Sequence, residues 1–204
     1  MIEQRERIAS YFGRRWRSSL DRFPTSGLSL VERVRELEPR FVVDAGCGYN
    51  EFRGRIRNCI GIDLVNPNAD LVCGFAEAPI KEGSIDVVLA LGSINFGDEE
   101  DVTADLEVVS SWLVPGGRMF MRANPGEPLD DPSIVVYPWS PKAIHRIGER
   151  VGLEVASEIV EEHIQAPWGV PARRLFWIYE KTARSSRSRS ETATRSARLE
   201  RVPL

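Results

Sequence analysis

Two short apolar runs constrain this chain more than any other feature: Phe41–Gly48, "FVVDAGCG", and Ile60–Leu64, "IGIDL". Each runs into a carboxylate, Asp44 in the first and Asp63 in the second, and the first then turns away through Gly46 and Gly48. Branched apolar runs bounded by turn residues are the pattern of strands covered on both faces, as in parallel sheets. In such sheets ligands bind beyond the carboxyl ends of the strands, where the strand order reverses. Asp44 and Asp63 close their strands at that end, and the glycines let the backbone turn tightly beside a ligand.

The alternation continues along the chain. Strand candidates at 41–45, 59–63, 70–74, 85–91 and 117–123 are interleaved with helical patterns over 29–38, 50–57, 99–113 and 140–151, with a weaker one near 5–20. Within 99–113, Val102, Leu106, Val109 and Leu113 share one face, as a helix lying on a sheet requires. "PGG" at 115–117 ends that helix and starts the next strand. After Gly152, "LEVASEIVEEHI" and "RRLFWIYEK" are strand-like runs joined by "QAPWGVPA", a pair that reads as an antiparallel hairpin. The expected architecture is α/β, a doubly wound and mostly parallel sheet with an antiparallel C-terminal strand. It divides into an N-terminal helical cap (1–40), a ligand-binding domain (41–181) and a Ser/Arg-rich tail (182–204) whose composition predicts disorder.

Charge narrows the partners. The chain's net −3 is uneven: 1–40 carries +3 and 182–204 carries +4, which leaves −10 on 41–181. An acidic centre argues against gripping a nucleic-acid backbone, although the basic tail leaves contact with RNA open beside a purely solvated role. Cys47, Cys59 and Cys73 have no metal-ligand spacing and cannot all pair, so they are expected as small buried hydrophobes in a reducing compartment. No apolar run approaches the about 20 residues that span a bilayer, and "MIEQRERIAS" lacks the apolar stretch of a signal peptide. The expectation is a cytoplasmic protein with no membrane partner.

Gly48 is followed by Tyr49, Asn50 and Glu51, so the third glycine of the dinucleotide fingerprint is missing, and no P-loop lysine is present. A pyrophosphate is therefore not favoured. A ligand with a ribose and a cationic amino-acid part suits the two acids better. On these residues the chain resembles the class I S-adenosylmethionine-dependent methyltransferases. "DAGCGYN" from Asp44 to Asn50 matches the first motif, Asp63 the ribose-binding acid, and "GFAEAPIKEGSIDVVLALGSINF" from Gly74 to Phe96 the third region. "LVPGGRMFM" and "WSPKAIHRIGERVGLEV" are similar to the fifth strand and the helix after it, so the resemblance covers about 30–181. It implies a seven-stranded sheet and S-adenosyl-L-methionine as cofactor. The implied contacts are Asp44, Ala45, Gly46, Cys47 and Gly48 in the turn, Asp63 on the ribose, Phe75 and Glu77 near the adenine, and Leu91 and Gly92 beside it. Many relatives have an acid where this chain has Phe75, which either packs on the adenine or belongs to the core.

The surface around the transferred methyl is expected from "GSINFGDEED" (92–101) and "MRANPGEPLDDPSIVVYPW" (121–139), with Asn95, Asn124, Tyr137 and Trp139 as acceptor contacts. Tyr137 and Trp139 read either as an aromatic floor for a sugar ring or as an anchor for the following helix. "ANPG" at 123–126 fails the N-P-P-Y test of nucleic-acid amino methyltransferases: it follows the wrong strand and lacks the stacking ring. The acids at 98–101 suit a helix start better than a divalent cation, so a metal is not indicated. His145, in the helix after "YPWS", is the expected general base for a hydroxyl, with His163 the alternative. The segment "YFGRRWRSSLDRF" reads as a cap over the site, a homodimer contact or a nucleic-acid contact. The combination of "GCGYN", "LALGSINFG" and "YPWS" looks like small bacterial and phage-borne enzymes, and among characterised ones it is similar to the mycobacterial sugar 1-O-methyltransferases of methylmannose polysaccharide biosynthesis. This implies a saccharide or small-metabolite acceptor, with the anomeric hydroxyl of a methylated mannoside as the narrowest form. The alternatives are a nucleic-acid methyltransferase and a non-catalytic cofactor-binding relative.

Overall fold

The computed structural model describes residues 2–14, 27–129, 131–165 and 171–183. Five strands, β1 (Val42–Ala45), β2 (Cys59–Asp63), β3 (Leu71–Val72), β4 (Ile85–Leu91) and β5 (Leu113–Ala123), pair in parallel. Beyond β5 the chain adds β6 (Leu153–Val155), β7 (Val160–Gln165) and β8 (Pro171–Lys181). The order across the sheet is β3-β2-β1-β4-β5-β8-β6, with β8 antiparallel to β5 and β7 also on β8. β6 pairs with Tyr179–Lys181 and β7 with Pro171–Phe176, so the two are successive stretches of one edge, interrupted at 156–159. The eight hydrogen-bonded strands thus occupy seven positions, and the terminal hairpin is antiparallel as expected.

Burial on both faces explains why these runs are strands. Val43, Ala45, Ile62, Val88, Ala90, Met119 and Met121 pack under α3 (Glu99–Trp112) and α4 (Pro141–Arg150). Val42, Val87, Leu89, Phe120, Phe176 and Ile178 pack on the other side with Val31 and Val34 of α2 (Val31–Arg35), Phe52 and Ile56. Under α4, Trp177 lies between Trp139 and Tyr179 with ring centroids 5.5 and 5.6 Å apart. Gly148 permits the approach of α4, because a Cβ there would stand 2.6 Å from the Tyr179 ring.

Two expectations are corrected. The segment 50–57 is not a helix but a series of turns, because Asn50, Gly54 and Asn58 sit at φ +58°, +73° and +53°, a conformation no helix accommodates. α2 is shorter than the expected 29–38: a 3-10 turn (Leu28–Leu30) leads into it, and Glu38 at φ +48° lies beyond its end. The weak N-terminal pattern forms α1 (Ile2–Arg14); residues 15–26 and the tail from 184 lie outside the described residues.

The acids at 98–101 are spent on a helix start. The Asp98 side chain accepts from the Asp101 N–H (3.0 Å) and Asp101 accepts from the Asp98 N–H (3.1 Å), a reciprocal capping box. Asp98→Ala should cost about 1 kcal/mol in urea unfolding, and Mg²⁺ or Ca²⁺ should leave the melting temperature of the parent chain unchanged. A metal-dependent rise that Asp98→Ala abolishes would restore the cation reading.

Candidate cofactor and acceptor site

The turn after β1 is fixed by two neighbours. The Gly46 and Cys47 N–H groups both donate to the Ile62 carbonyl (2.8 and 2.9 Å), hooking the turn over the end of β2. Ser93, from the loop after β4, donates its hydroxyl to the Ala45 carbonyl and packs on Gly46. A Cβ on Gly46, which sits at φ +81°, would stand 2.2 Å from the Ser93 Cβ, so only glycine closes this contact. The ends of β1, β2 and β4, and with them Ala45, Gly46, Cys47, Gly48, Leu91 and Gly92, are thereby brought together.

Three carboxylates at this end have different surroundings. Asp63 accepts the N–H groups of Gly48 (2.9 Å), Val65 (3.0 Å) and Asn66 (2.9 Å), tying the glycine turn to the loop after β2. Asp70 accepts the Gly61 N–H (2.9 Å) and the Asn50 amide (3.0 Å) and pairs with Arg53 (3.3 Å). The Gly61 N–H above all holds its carboxyl below the usual range. Asp44 is 4% exposed, and among the described residues its carboxyl has no hydrogen-bond partner. Burial first, then the charges of Asp63 and Glu51, push its pKa up to about 8. Burial likewise raises Glu51, partly offset by Arg55. The Cys59 thiol is pushed up to about 12 by burial and by Asp44 and Asp70, and Cys47 is raised for similar reasons, so neither is a reactive thiolate.

Because 50–57 forms turns, the chain leaving the glycine turn does not open a helix there. A phosphate would need that dipole and its free N–H groups; the acids here present the opposite field. The arrangement suits a cation.

On the acceptor side the structure knits together four residues singled out in the sequence. Asn95 donates to the Gly92 carbonyl (2.8 Å) and accepts the Asn124 N–H (2.8 Å). Asn124 accepts the N–H groups of Gly126 (3.0 Å) and Glu127 (2.6 Å). The Tyr137 N–H donates to the Asn95 carbonyl (2.8 Å), and the Trp139 indole donates to the Ile94 carbonyl (3.0 Å). Trp139 is 1% exposed and Tyr137 is buried, its hydroxyl donating to Glu99 (2.8 Å), which also pairs with Arg146. These rings anchor α4 to the core; they do not present an open floor. Phe75 lies half-buried with its ring edge-on to Trp112 (6.2 Å), packed against the core, and Glu77 is exposed at the end of a 3-10 turn (Phe75–Glu77). His145 is exposed on α4, beside Ile144, which is buried against the sheet. His163 is exposed on β7, 3.7 Å from Glu161.

Sequence reasoning missed Ser93, Asn50, Asp70, the buried guanidinium of Arg122 and the half-buried one of Arg174. Arg122 at the end of β5 is 7% exposed and pairs with Glu162 (3.1 Å), and Arg174 of β8 pairs with Glu127 (3.2 Å). Asn50 stands inside the quoted motif, so its type was visible. The partners of Asp70 and Arg122 are far away in sequence and gave no local signal.

No protein-family model matches the chain, and no curated protein matches it. Solved structures do. The 1,6-didemethyltoxoflavin-N1-methyltransferase of Burkholderia thailandensis, with bound 1,6-didemethyltoxoflavin and S-adenosylhomocysteine, superposes with a TM-score of 0.65 at 15% identity, over 88% of this chain and 87% of that one. The magnesium protoporphyrin IX methyltransferase of Synechocystis PCC 6803, with bound S-adenosylhomocysteine, gives 0.59 at 12% identity, over 88% and 100%. An S-adenosylmethionine-dependent methyltransferase from Mesorhizobium loti gives 0.53 at 15%, over 80% and 100%. The chain has the class I methyltransferase fold. No helix among the described residues is long and apolar enough to cross a membrane.

Asp44 makes the free protein's stability depend on pH in a defined direction. Its carboxyl titrates near pH 4 when unfolded and near 8 when folded, so its contribution is full below about pH 4 and is lost as pH rises to about 8. Asp44→Asn should therefore gain stability over the parent across that window, with the difference levelling above it. Denaturant unfolding at several pH values checks this; a difference that does not grow with pH would remove the assignment.

Proposed function

We propose that this chain binds S-adenosylmethionine at the ends of β1 and β2 and transfers its methyl group to a small-molecule acceptor held beyond β4 and β5. One observation carries the reading: a buried Asp44 carboxyl beside Asp63 and Glu51, on a glycine turn that runs into further turns rather than a helix. Those acids fit a ligand that carries positive charge on an α-ammonium and a sulfonium. The bound S-adenosylhomocysteine in the Burkholderia and Synechocystis neighbours supports the same choice. When bound, the cofactor supplies a methyl group on a positively charged sulfur, open to in-line displacement. Asp44 ionises opposite the cation, and Gly46 and Gly48 allow close backbone approach. Asp63 keeps acceptor capacity for ribose hydroxyls, since each carboxylate oxygen takes more than one donor. The loop 92–95 walls the other side, and holding the reactants in line supplies much of the rate.

For the acceptor, the sequence resemblance supports a hydroxyl of a saccharide or small metabolite, down to the anomeric hydroxyl of a methylated mannoside. A second reading is a ring nitrogen of a planar heterocycle, the class of acceptor bound in the Burkholderia neighbour. Two placements favour it: Tyr137 and Trp139 are buried rather than laid out as a floor for a sugar, and His145 faces outward from α4. A nitrogen lone pair needs less help from a base than a hydroxyl does.

Calorimetric titration should show S-adenosylmethionine binding that tightens as pH rises toward about 8, by at most about tenfold per pH unit, because only ionised Asp44 meets the cation. Asp44→Asn should weaken binding and flatten that dependence. Incubation with labelled S-adenosylmethionine and separate pools of oligosaccharides, heterocyclic metabolites, RNA and DNA identifies the acceptor class. His145→Ala should keep turnover close to the parent. A loss of about 10²–10⁴-fold with unchanged cofactor binding would instead make His145 the base and favour a hydroxyl.

A further inference from the structure

Two buried polar groups beside the glycine turn lack a partner, and the sheet brings them together. One is the amide of Asn50, which is 5% exposed. Its Nδ2 donates to the Asn68 carbonyl and to Asp70, both at 3.0 Å, and these acceptors fix the other terminal atom as the oxygen. That Oδ1 is buried and accepts no hydrogen bond among the described residues. The other is the carboxyl of Asp44. A buried acceptor left unmatched is costly enough that its surroundings need an account.

Asp44 of β1 pairs in register with Gly61 of β2. Val42 and Cys59, two residues earlier on each strand, pack in one cluster, so Asp44 and Gly61 share that face of the sheet. A Cβ on Gly61 would stand 2.4 Å from the Asn50 Oδ1 and 2.9 Å from the Cys47 Sγ. The Oδ1 therefore lies over Gly61, about one strand spacing of 4.8 Å from Asp44. Nδ2 is turned toward the residues before β3, which turns Oδ1 the other way, toward β1. Asn50 is held there by its backbone, whose N–H donates to the Cys47 carbonyl (2.9 Å) and whose carbonyl accepts the Arg53 N–H (3.1 Å).

A protonated carboxyl carries the O–H donor that an orphan acceptor needs, and a carboxylate does not. The groups around Asp44 favour the proton. Asp63 of β2 and Glu51 of the following turns both raise its carboxyl, after burial. Leu89, opposite Asp44 on β4, brings no charge, and burial keeps the Cys47 and Cys59 thiols neutral. The nearby guanidiniums are engaged elsewhere, Arg53 with Asp70 and Arg55 with the Glu51 carbonyl. We propose that Asn50 is a positioning residue for Asp44: in the free protein the neutral carboxyl donates its O–H to the Asn50 Oδ1, and that proton passes to solvent when the carboxylate meets a cationic ligand. The ligand step rests on the methyltransferase reading; the place of the proton in the free protein does not. Asn50 thus spares the free protein an uncompensated charge and reserves the ionised carboxylate for a ligand that brings a positive one.

Carbon-13 NMR titration of the free protein reads the proton's place directly. The Asn50 side-chain carbonyl should titrate with the same midpoint as the Asp44 carboxyl and be deshielded on the acid side. An Asn50 resonance indifferent to the Asp44 titration overturns the proposal. Asn50→Gly tolerates the φ of +58° and should lower the Asp44 midpoint by about half to one pH unit, the worth of one hydrogen bond. The pH dependence of binding the probe S-adenosylhomocysteine should move down by the same amount. Loosening of the turn alone would weaken binding alike at every pH and leave both midpoints in place, and that result also overturns the proposal. Should Asn50→Gly fail to fold, the titration of the parent chain decides. A parent chain that binds no S-adenosylhomocysteine sinks the methyltransferase reading, while the carbon-13 titration still judges Asn50.

Discussion

Taking a carboxylate out of water costs several kcal/mol unless a cation or a set of donors meets it. Asp44 meets neither among the described residues. The chain cannot relieve this by moving the side chain, because β1 is buried along its whole length and paired on both sides, to β2 and to β4. Nor can the turn relax, since Gly46 is trapped against Ser93 and hooked to Ile62. The free protein therefore holds Asp44 neutral over much of the physiological range. This is a stability cost that a bound cation would reverse, and the surrounding geometry is rigid enough to preserve it.

The neighbouring acids are less buried than Asp44, and each finds the partners that Asp44 lacks. Asp63 takes three backbone N–H groups, and Asp70 takes a backbone N–H, an amide and a guanidinium. Those two hold the loops around β2 in shape; Asp44 holds nothing. The contrast separates carboxylates that hold the loops from the one that, on the proposed function, is left for a ligand. It also bears on how Asp63 is tested. Removing its side chain would loosen the glycine turn and the loop after β2 together, so a loss of binding in such a variant would mix two effects.

The sheet was legible because its strands are short branched runs buried on both faces, a pattern set by adjacent residues. The terminal hairpin was legible for the same reason. The segment 50–57 was misread because its helical pattern is a matter of composition, whereas Asn50, Gly54 and Asn58 take left-handed conformations that end any helix. Gly54 was the visible warning. In the site, Asp44, Asp63 and the glycine turn could be found from the motif alone. The roles of Asn95, Asn124, Tyr137 and Trp139 could not, because each depends on a partner in another loop. An asparagine in a loop looks equally ready to meet a substrate or to cap a turn until its neighbours are known. His145 was singled out for its type, and type says nothing about which side of a helix it occupies.

These placements leave a division of labour in the upper half of the molecule. The loops after β4 and β5 are bound to one another through Asn95 and Asn124 and pinned from below by Trp139 and Tyr137. Such a wall is well suited to aligning a nucleophile with a methyl group, since misplacement by about an ångström can cost 10²-fold in rate. For the same reason it is poorly suited to choosing among acceptors of different shape, because a fully hydrogen-bonded loop cannot adjust without stranding buried polar groups. On the methyltransferase function proposed above, selectivity falls to the surfaces outside this network. On the described side those are the half-buried apolar side of α1 and the charged rim where Arg173 and Arg174 meet Glu127.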